Sequence, residues 1–190
     1  MSSARHSTKL KSFVKILLMG CIKMKQKKVF VLSGPPASGK STWVRSQLTK
    51  GSEWISRDNV RFSIVREDEE YFSHEDEVFD TFIAYINQTL EDPDIHTIYI
   101  DATHLNKRAR HKVLSRIRKR NIGELNCVCF SVSREVCQKR NALREGRARV
   151  PASAIENMFN SYVYPGIDEG FAHVYEVNED GVTSEVKLCE

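Results

Sequence analysis

Apolar and polar positions along the chain follow two periods in turn. Residues 29–33 (VFVLS) are almost wholly apolar, the pattern of a strand buried on both faces of a parallel sheet, and glycine with two prolines ends the run. Residues 41–48 then support a helix, and 54–56 (WIS) a short strand that stops at Arg57-Asp58. Between 76 and 90, apolar residues recur at Val78, Phe79, Phe82, Ile83, Ile86 and Leu90, with Asp80, Asn87 and Gln88 opposite, which predicts a core-facing helix. Residues 97–100 (TIYI) read as the next strand, and Asn106 stands where a cap belongs for a helix over 107–119. A strand at 127–132, helices at 134–144 and 152–162, and a last strand at 174–177 complete the series.

Strands alternating with helices predict an α/β fold: a central parallel sheet of about five strands flanked by helices. Ligands of such sheets sit at the carboxyl ends of the strands, where Ser33-Gly34, Asp58 and Asp101 all fall. A chain of 190 residues, 41% apolar and 28% charged, fits one globular domain with its own core. We expect that domain over 24–190. Residues 1–23 read as a basic extension, with Met24 the working start.

The turn after the first strand reads Gly34-Pro35-Pro36-Ala37-Ser38-Gly39-Lys40-Ser41, the G-x-x-x-x-G-K-S spacing of a phosphate-binding P-loop. Its glycines let the backbone wrap polyphosphate closely, and its amides form an anion nest at a helix N-terminus. Gly34, Pro35, Ala37, Ser38, Gly39, Lys40, Ser41 and Thr42 are therefore the expected ATP-binding residues. Lys40 is expected to reach the β- and γ-phosphates and the Ser41 hydroxyl to coordinate Mg²⁺. The strand and helix on either side make the fold P-loop NTPase-type. Asp58 reads two ways: as the cap of a following helix, or as a carboxylate placed to take a proton from an attacking hydroxyl, with Arg61 one turn on.

The ordered blocks GPPASGKSTW, ISRDNVR, DATHLN and KRNALREGRARVP resemble the 5′-hydroxyl polynucleotide kinases, among the small P-loop ATP-binding kinases, from about residue 29 to 169. The resemblance implies transfer of the γ-phosphoryl of ATP, with Mg²⁺, to the 5′-hydroxyl of RNA or DNA. It implies Lys40, Asp58 (general base) and Arg144 (lid arginine) as catalytic residues. It further implies Arg61 on an acceptor phosphate, Asp101 supporting the P-loop serine or the metal, and Asp101 and Thr103 with Arg61 among the substrate-binding residues. The segment 142–146 runs one residue longer than the family pattern, so Arg140, Arg147 and Arg149 stand as lid alternatives, and the 101–104 block carries one inserted residue. A kinase of a nucleotide, sugar-nucleotide or other small metabolite, and a non-catalytic ATP-binding module, are the competing readings.

Charge refines this picture only locally. The formal net charge is +4, but five of the 29 basic residues and none of the 25 acidic ones precede residue 24. The body is thus nearly neutral, and a nucleic-acid site must be a local patch. The basic stretch 107–120 is either a solvated helix face or a phosphate-backbone track for the acceptor strand, and no run of exposed aromatics offers a base-stacking platform. Acidic residues at 67–70 and 75–77 read as a solvated face. Five cysteines without a CxxC pair suit a reducing cytoplasm, a host's if the gene is phage-borne, with no disulfide-linked partner. Cys127 and Cys129 are expected as buried apolar side chains sharing one strand face. The apolar run 13–22 is too short to span a membrane.

Overall fold

The computed structural model describes residues 26–187; the extension 1–23 and Cys189 lie outside the described residues. Six strands form one sheet in the order β2-β3-β1-β4-β5-β6: β1 (Lys27–Ser33), β2 (Ser52–Ser56), β3 (Thr97–Asp101), β4 (Ile122–Phe130), β5 (His173–Val177) and β6 (Thr183–Val186). β1 to β5 are parallel. β6 pairs antiparallel with β5 through a turn carrying Gly181 at φ 81, a strand that the apolar pattern did not announce. Its short, exposed sequence, TSEV, has no buried face to mark it.

The helices are α1 (Lys40–Gln47), α2 (Arg57–Ile64), α3 (Glu75–Glu91), α4 (Lys107–Leu114), α5 (Arg134–Ala142) and α6 (Ala152–Asn160). Alternation in β1 divides the core in two. Val29 and Val31 face a cluster filled by Val60 of α2, the α3 stripe from Val78 to Leu90, and Val113 and Leu114 of α4. Leu32 and Phe30 face the other side, with Trp43 and Val44 of α1, Tyr99, Val128 and Phe130. All six apolar positions expected of α3 are buried.

α4 stops at Leu114, five residues short of expectation, and the chain then turns through a single 3₁₀ turn, Lys119–Asn121, into β4. β4 accordingly starts at Ile122 and ends at Phe130 rather than 132. Asn106 caps α4 as expected, its side chain accepting from the Ala109 amide at 3.0 Å. Cys127 and Cys129 are buried on one face of β4, their Sγ atoms 3.9 Å apart.

Candidate active site

The three strand ends converge as the pattern predicted. Gly34 leaves β1 with its amide donating to the Thr103 carbonyl at 2.9 Å, and a Cβ there would sit 2.9 Å from Phe130 Cβ. Only glycine therefore lets the loop lie on the end of β4. Ala37 (φ 62) and Gly39 (φ 99) are left-handed, the handedness that turns successive N–H groups to one side. Gly39 is the N-cap of α1, so the positive end of that helix faces the loop. Lys40 is buried, and its ammonium donates to the carbonyls of Gly34 (2.9 Å) and Pro35 (2.7 Å). Burial lowers its pKa, against which the carboxylates of Asp101 and Asp58 act. The Ser38 hydroxyl is buried with no hydrogen-bond partner, a polar atom inside the cradle left for a ligand to satisfy. Thr42 is exposed in the first turn of α1.

Ser41 donates to Asp101 Oδ2 at 3.1 Å, and the Trp54 indole donates to the same oxygen at 3.1 Å. Burial raises the Asp101 pKa, opposed by Lys40 and by these two donors. A serine hydroxyl beside one carboxylate is a hard-oxygen pair of the kind magnesium accepts when waters and phosphates complete its shell. No group of three or more His, Cys, Asp or Glu side chains suited to a metal occurs among the described residues.

Asp58 is the second residue of α2, and its capping reading falls: Ser56 is the cap, its hydroxyl accepting from the Asn59 amide at 3.4 Å. The Asp58 carboxylate is instead held from the side. It accepts from Arg61 at 2.7 Å and from the Tyr71 hydroxyl at 3.0 Å, while remaining 66% exposed. Arg61 itself is buried, and its guanidinium also donates to Glu75 and, at 3.1 Å, to the Tyr71 oxygen. Arg57 donates to the other Glu75 oxygen at 2.5 Å. Glu75 thus anchors both arginines. Sequence reasoning missed it by reading its acidic run as solvated; its place in the first turn of α3, facing α2, was the signal.

The lid arginines divide by position. Arg144 acts on the charge of Lys40, and Arg140 comes within 3.8 Å of where a Gly39 Cβ would stand while donating to the Glu179 carbonyl at 3.0 Å. Arg147 donates to the Val65 carbonyl at 3.0 Å on the Asp58 side, and Arg149 is exposed. Thr103 contributes its carbonyl to the loop. His104 is buried at φ 41, its Nδ1 donating to the Leu32 carbonyl at 2.7 Å; burial pushes its pKa down to about 4.

The basic stretch 107–120 is partly paired, with Arg108, Lys112 and Lys119 left exposed. Lys107 pairs with Asp168, Arg116 with Asp80 at 3.0 Å, and Arg118 and Arg120 with Glu91 at 3.7 and 2.7 Å. Arg110 is fully buried against Glu169 at 2.7 Å. No run of aromatics in the sequence offers a platform, but the fold brings together two that are ten residues apart: Phe62 and Phe72 are both exposed beside Asp58's partner Tyr71.

Residues 29–165 match the AAA domain family. No curated protein matches the chain. Among solved structures, the chain is similar to one in the Pnkp1/Rnl/Hen1 RNA repair complex (TM-score 0.61, 20% identity), covering 90% of this chain and 52% of that one. It is also similar to a fungal RNA kinase (TM-score 0.53, 17% identity, 80% of this chain and 75% of that). A sugar kinase from Janibacter sp. HTCC2649 matches comparably (TM-score 0.55, 17% identity, 82% and 86%). At these identities the likeness establishes the fold, and the chain spans about half the length of the repair-complex protein.

Proposed function

We propose that this chain, which belongs to the AAA domain family, is an ATP-dependent kinase that transfers the γ-phosphoryl group to the 5′-hydroxyl of a polynucleotide. The observation that carries the reading is Asp58, held by Arg61 and Tyr71 yet open to solvent, and near enough to the P-loop for its charge to act on Lys40. A general base must come within hydrogen-bond reach of the hydroxyl it deprotonates, and a carboxylate held by two donors yet open to solvent supports that role.

ATP would bind with its phosphates in the cradle of residues 34–42, where Lys40 exchanges the Gly34 and Pro35 carbonyls for phosphate oxygens and Ser38 gains a partner. Ser41 and Asp101 would hold Mg²⁺, which would supply neutralisation of the charge developing on the phosphates. Asp58 takes the proton of the 5′-hydroxyl as its oxygen bonds to the γ-phosphorus, and the bond to the β-phosphate oxygen breaks to release ADP. Arg144, with Arg140 beside it, stabilises the charge that spreads over the transferring group. Arg61, buried on Glu75, serves by fixing Asp58; its contact with an acceptor phosphate is the lesser part of its role.

A second reading, a kinase of a small hydroxylated metabolite, is favoured by the ion pairs of Lys107, Arg110, Arg116, Arg118 and Arg120, which interrupt a continuous phosphate track. The two separate in one assay. The chain is incubated with γ-labelled ATP, Mg²⁺ and either a 5′-hydroxyl oligonucleotide or a panel of sugars and nucleosides, alongside Asp58→Asn. We expect label on the oligonucleotide and a loss of about 100-fold or more in the variant, with an unchanged unfolding midpoint because Asp58 lies at the surface. Label on small hydroxyl compounds alone transfers the assignment to the second reading, and nucleotide binding with no product of any kind leaves a binding module.

A further inference from the structure

Between α2 and α3 the chain builds a surface of aromatic rings beside the proposed base. The Tyr71 ring meets Phe72 edge-on at 4.8 Å and 89°, and Phe62 at 6.2 Å and 67°. Arg61 lies over Tyr71 at 4.5 Å and over Phe72 at 5.5 Å. From the lid, Arg147 lies over Phe62 at 5.4 Å and over Tyr71 at 5.9 Å. Phe72 nonetheless stays 66% exposed and Phe62 44%. Two phenyl rings left in water beside a catalytic carboxylate forgo burial energy that folding would otherwise use, which marks a contact surface.

We infer that Phe62 and Phe72, flanking Tyr71, form the stacking platform for the terminal nucleobase of the acceptor strand. This rests on the polynucleotide kinase reading and deepens it. Tyr71 ties the platform to the chemistry: its ring packs against both phenylalanines while its hydroxyl donates to Asp58 at 3.0 Å, so a base on the rings belongs to the nucleoside whose hydroxyl reaches Asp58. The charge is complementary. Two guanidiniums lie over the ring cluster, and one of them, Arg147, keeps a buried nitrogen without a hydrogen-bond partner, suiting a ligand that joins a flat π-face to an anionic backbone. A polyol would need hydrogen-bonding groups that phenyl rings lack. Because every base has a π-face, the platform predicts little preference among the four bases and strong preference for having one.

Steady-state kinetics of the full chain on a 5′-hydroxyl oligonucleotide, and on the same strand with an abasic first nucleotide, test this. Phe72→Ala is expected to raise KM about tenfold on the normal strand with kcat within about twofold, and Phe72→Trp to restore it. On the abasic strand wild type and Phe72→Ala should be equal, both weak. An unchanged KM in Phe72→Ala, or an equal rise on both strands, overturns the platform while leaving the kinase reading in place. Failure of the wild type to phosphorylate any oligonucleotide overturns both. Thermal melts of the variants confirm that exposed Phe72 can be replaced without loss of the fold.

Discussion

His104 shows how much one residue near the loop contributes. Its burial under β1, beside the cations Arg57, Lys40 and Arg110, obliges the ring to stay neutral, because a charge there would lack both water and an anionic partner. The unfolded chain binds a proton near the ordinary histidine pKa of 6.5, the folded chain only near 4. This contribution to stability is therefore complete above pH 6.5, declines as the pH falls towards 4, and amounts to about 3 kcal/mol. His104→Asn keeps an N–H donor for Leu32 and a residue tolerant of φ > 0. Urea titrations at pH 7 and pH 4.5 should show the variant losing markedly less stability between the two than the wild type. Parallel losses would mean that other groups set the acid limit.

At the scale of elements, α4 is tied to the segment before β5 by one buried ion pair. Arg110 donates both to Glu169 and to the carbonyls of His104 and Val163, which fastens the 101–106 loop, and with it Thr103 and the P-loop. Removing the cation leaves Glu169 buried without its counter-charge. Arg110→Met should cost about 3–5 kcal/mol in denaturant unfolding. The double variant Arg110→Met, Glu169→Met should recover at least half of that, since an apolar pair avoids the uncompensated charge. A double variant as unstable as the single one would show that the hydrogen bonds to the loop carbonyls, and not the charge, carry the effect. The same helix explains an error of extent: its basic run reads as helical through 119, but Arg116, Arg118 and Arg120 leave it to reach acids on α3.

For the whole molecule, those ion pairs set the electrostatics of substrate binding. On the polynucleotide reading, with Arg116, Arg118 and Arg120 held by acids of α3, the phosphates of an acceptor strand would meet chiefly Arg147 and Arg149 beside Arg61, about three charges at most, so log KM against log salt should rise with a slope of about 2 or less. Substituting Arg118 and Arg120 by alanine should leave that slope, and KM within about twofold, unchanged. Exposed pairs of this kind contribute little to stability, so the fold should persist. A slope that drops in the double variant would return the basic stretch to the acceptor path. The near-neutral body, legible in the composition, and the local pairing, visible only in three dimensions, make the same point about long-range attraction.

The α/β fold and the phosphate cradle were fixed by short-range physics. Apolar runs at β1 and β3, the 3.6-residue stripe of α3 and the GPPASGKS turn each declare themselves within ten or twenty residues. What those patterns did not contain was pairing across the chain. Glu75 became the anchor of Arg57 and Arg61, Tyr71 the link to Asp58, and Phe62 with Phe72 one surface, because α2 and α3 pack side by side around a loop with no period of its own. β6 escaped notice for a related reason: a four-residue exposed edge strand gains its hydrogen bonds from β5 and buries almost nothing. Residue type and spacing determined the chemistry available to this protein, and tertiary packing decided which of its charges are free to use it.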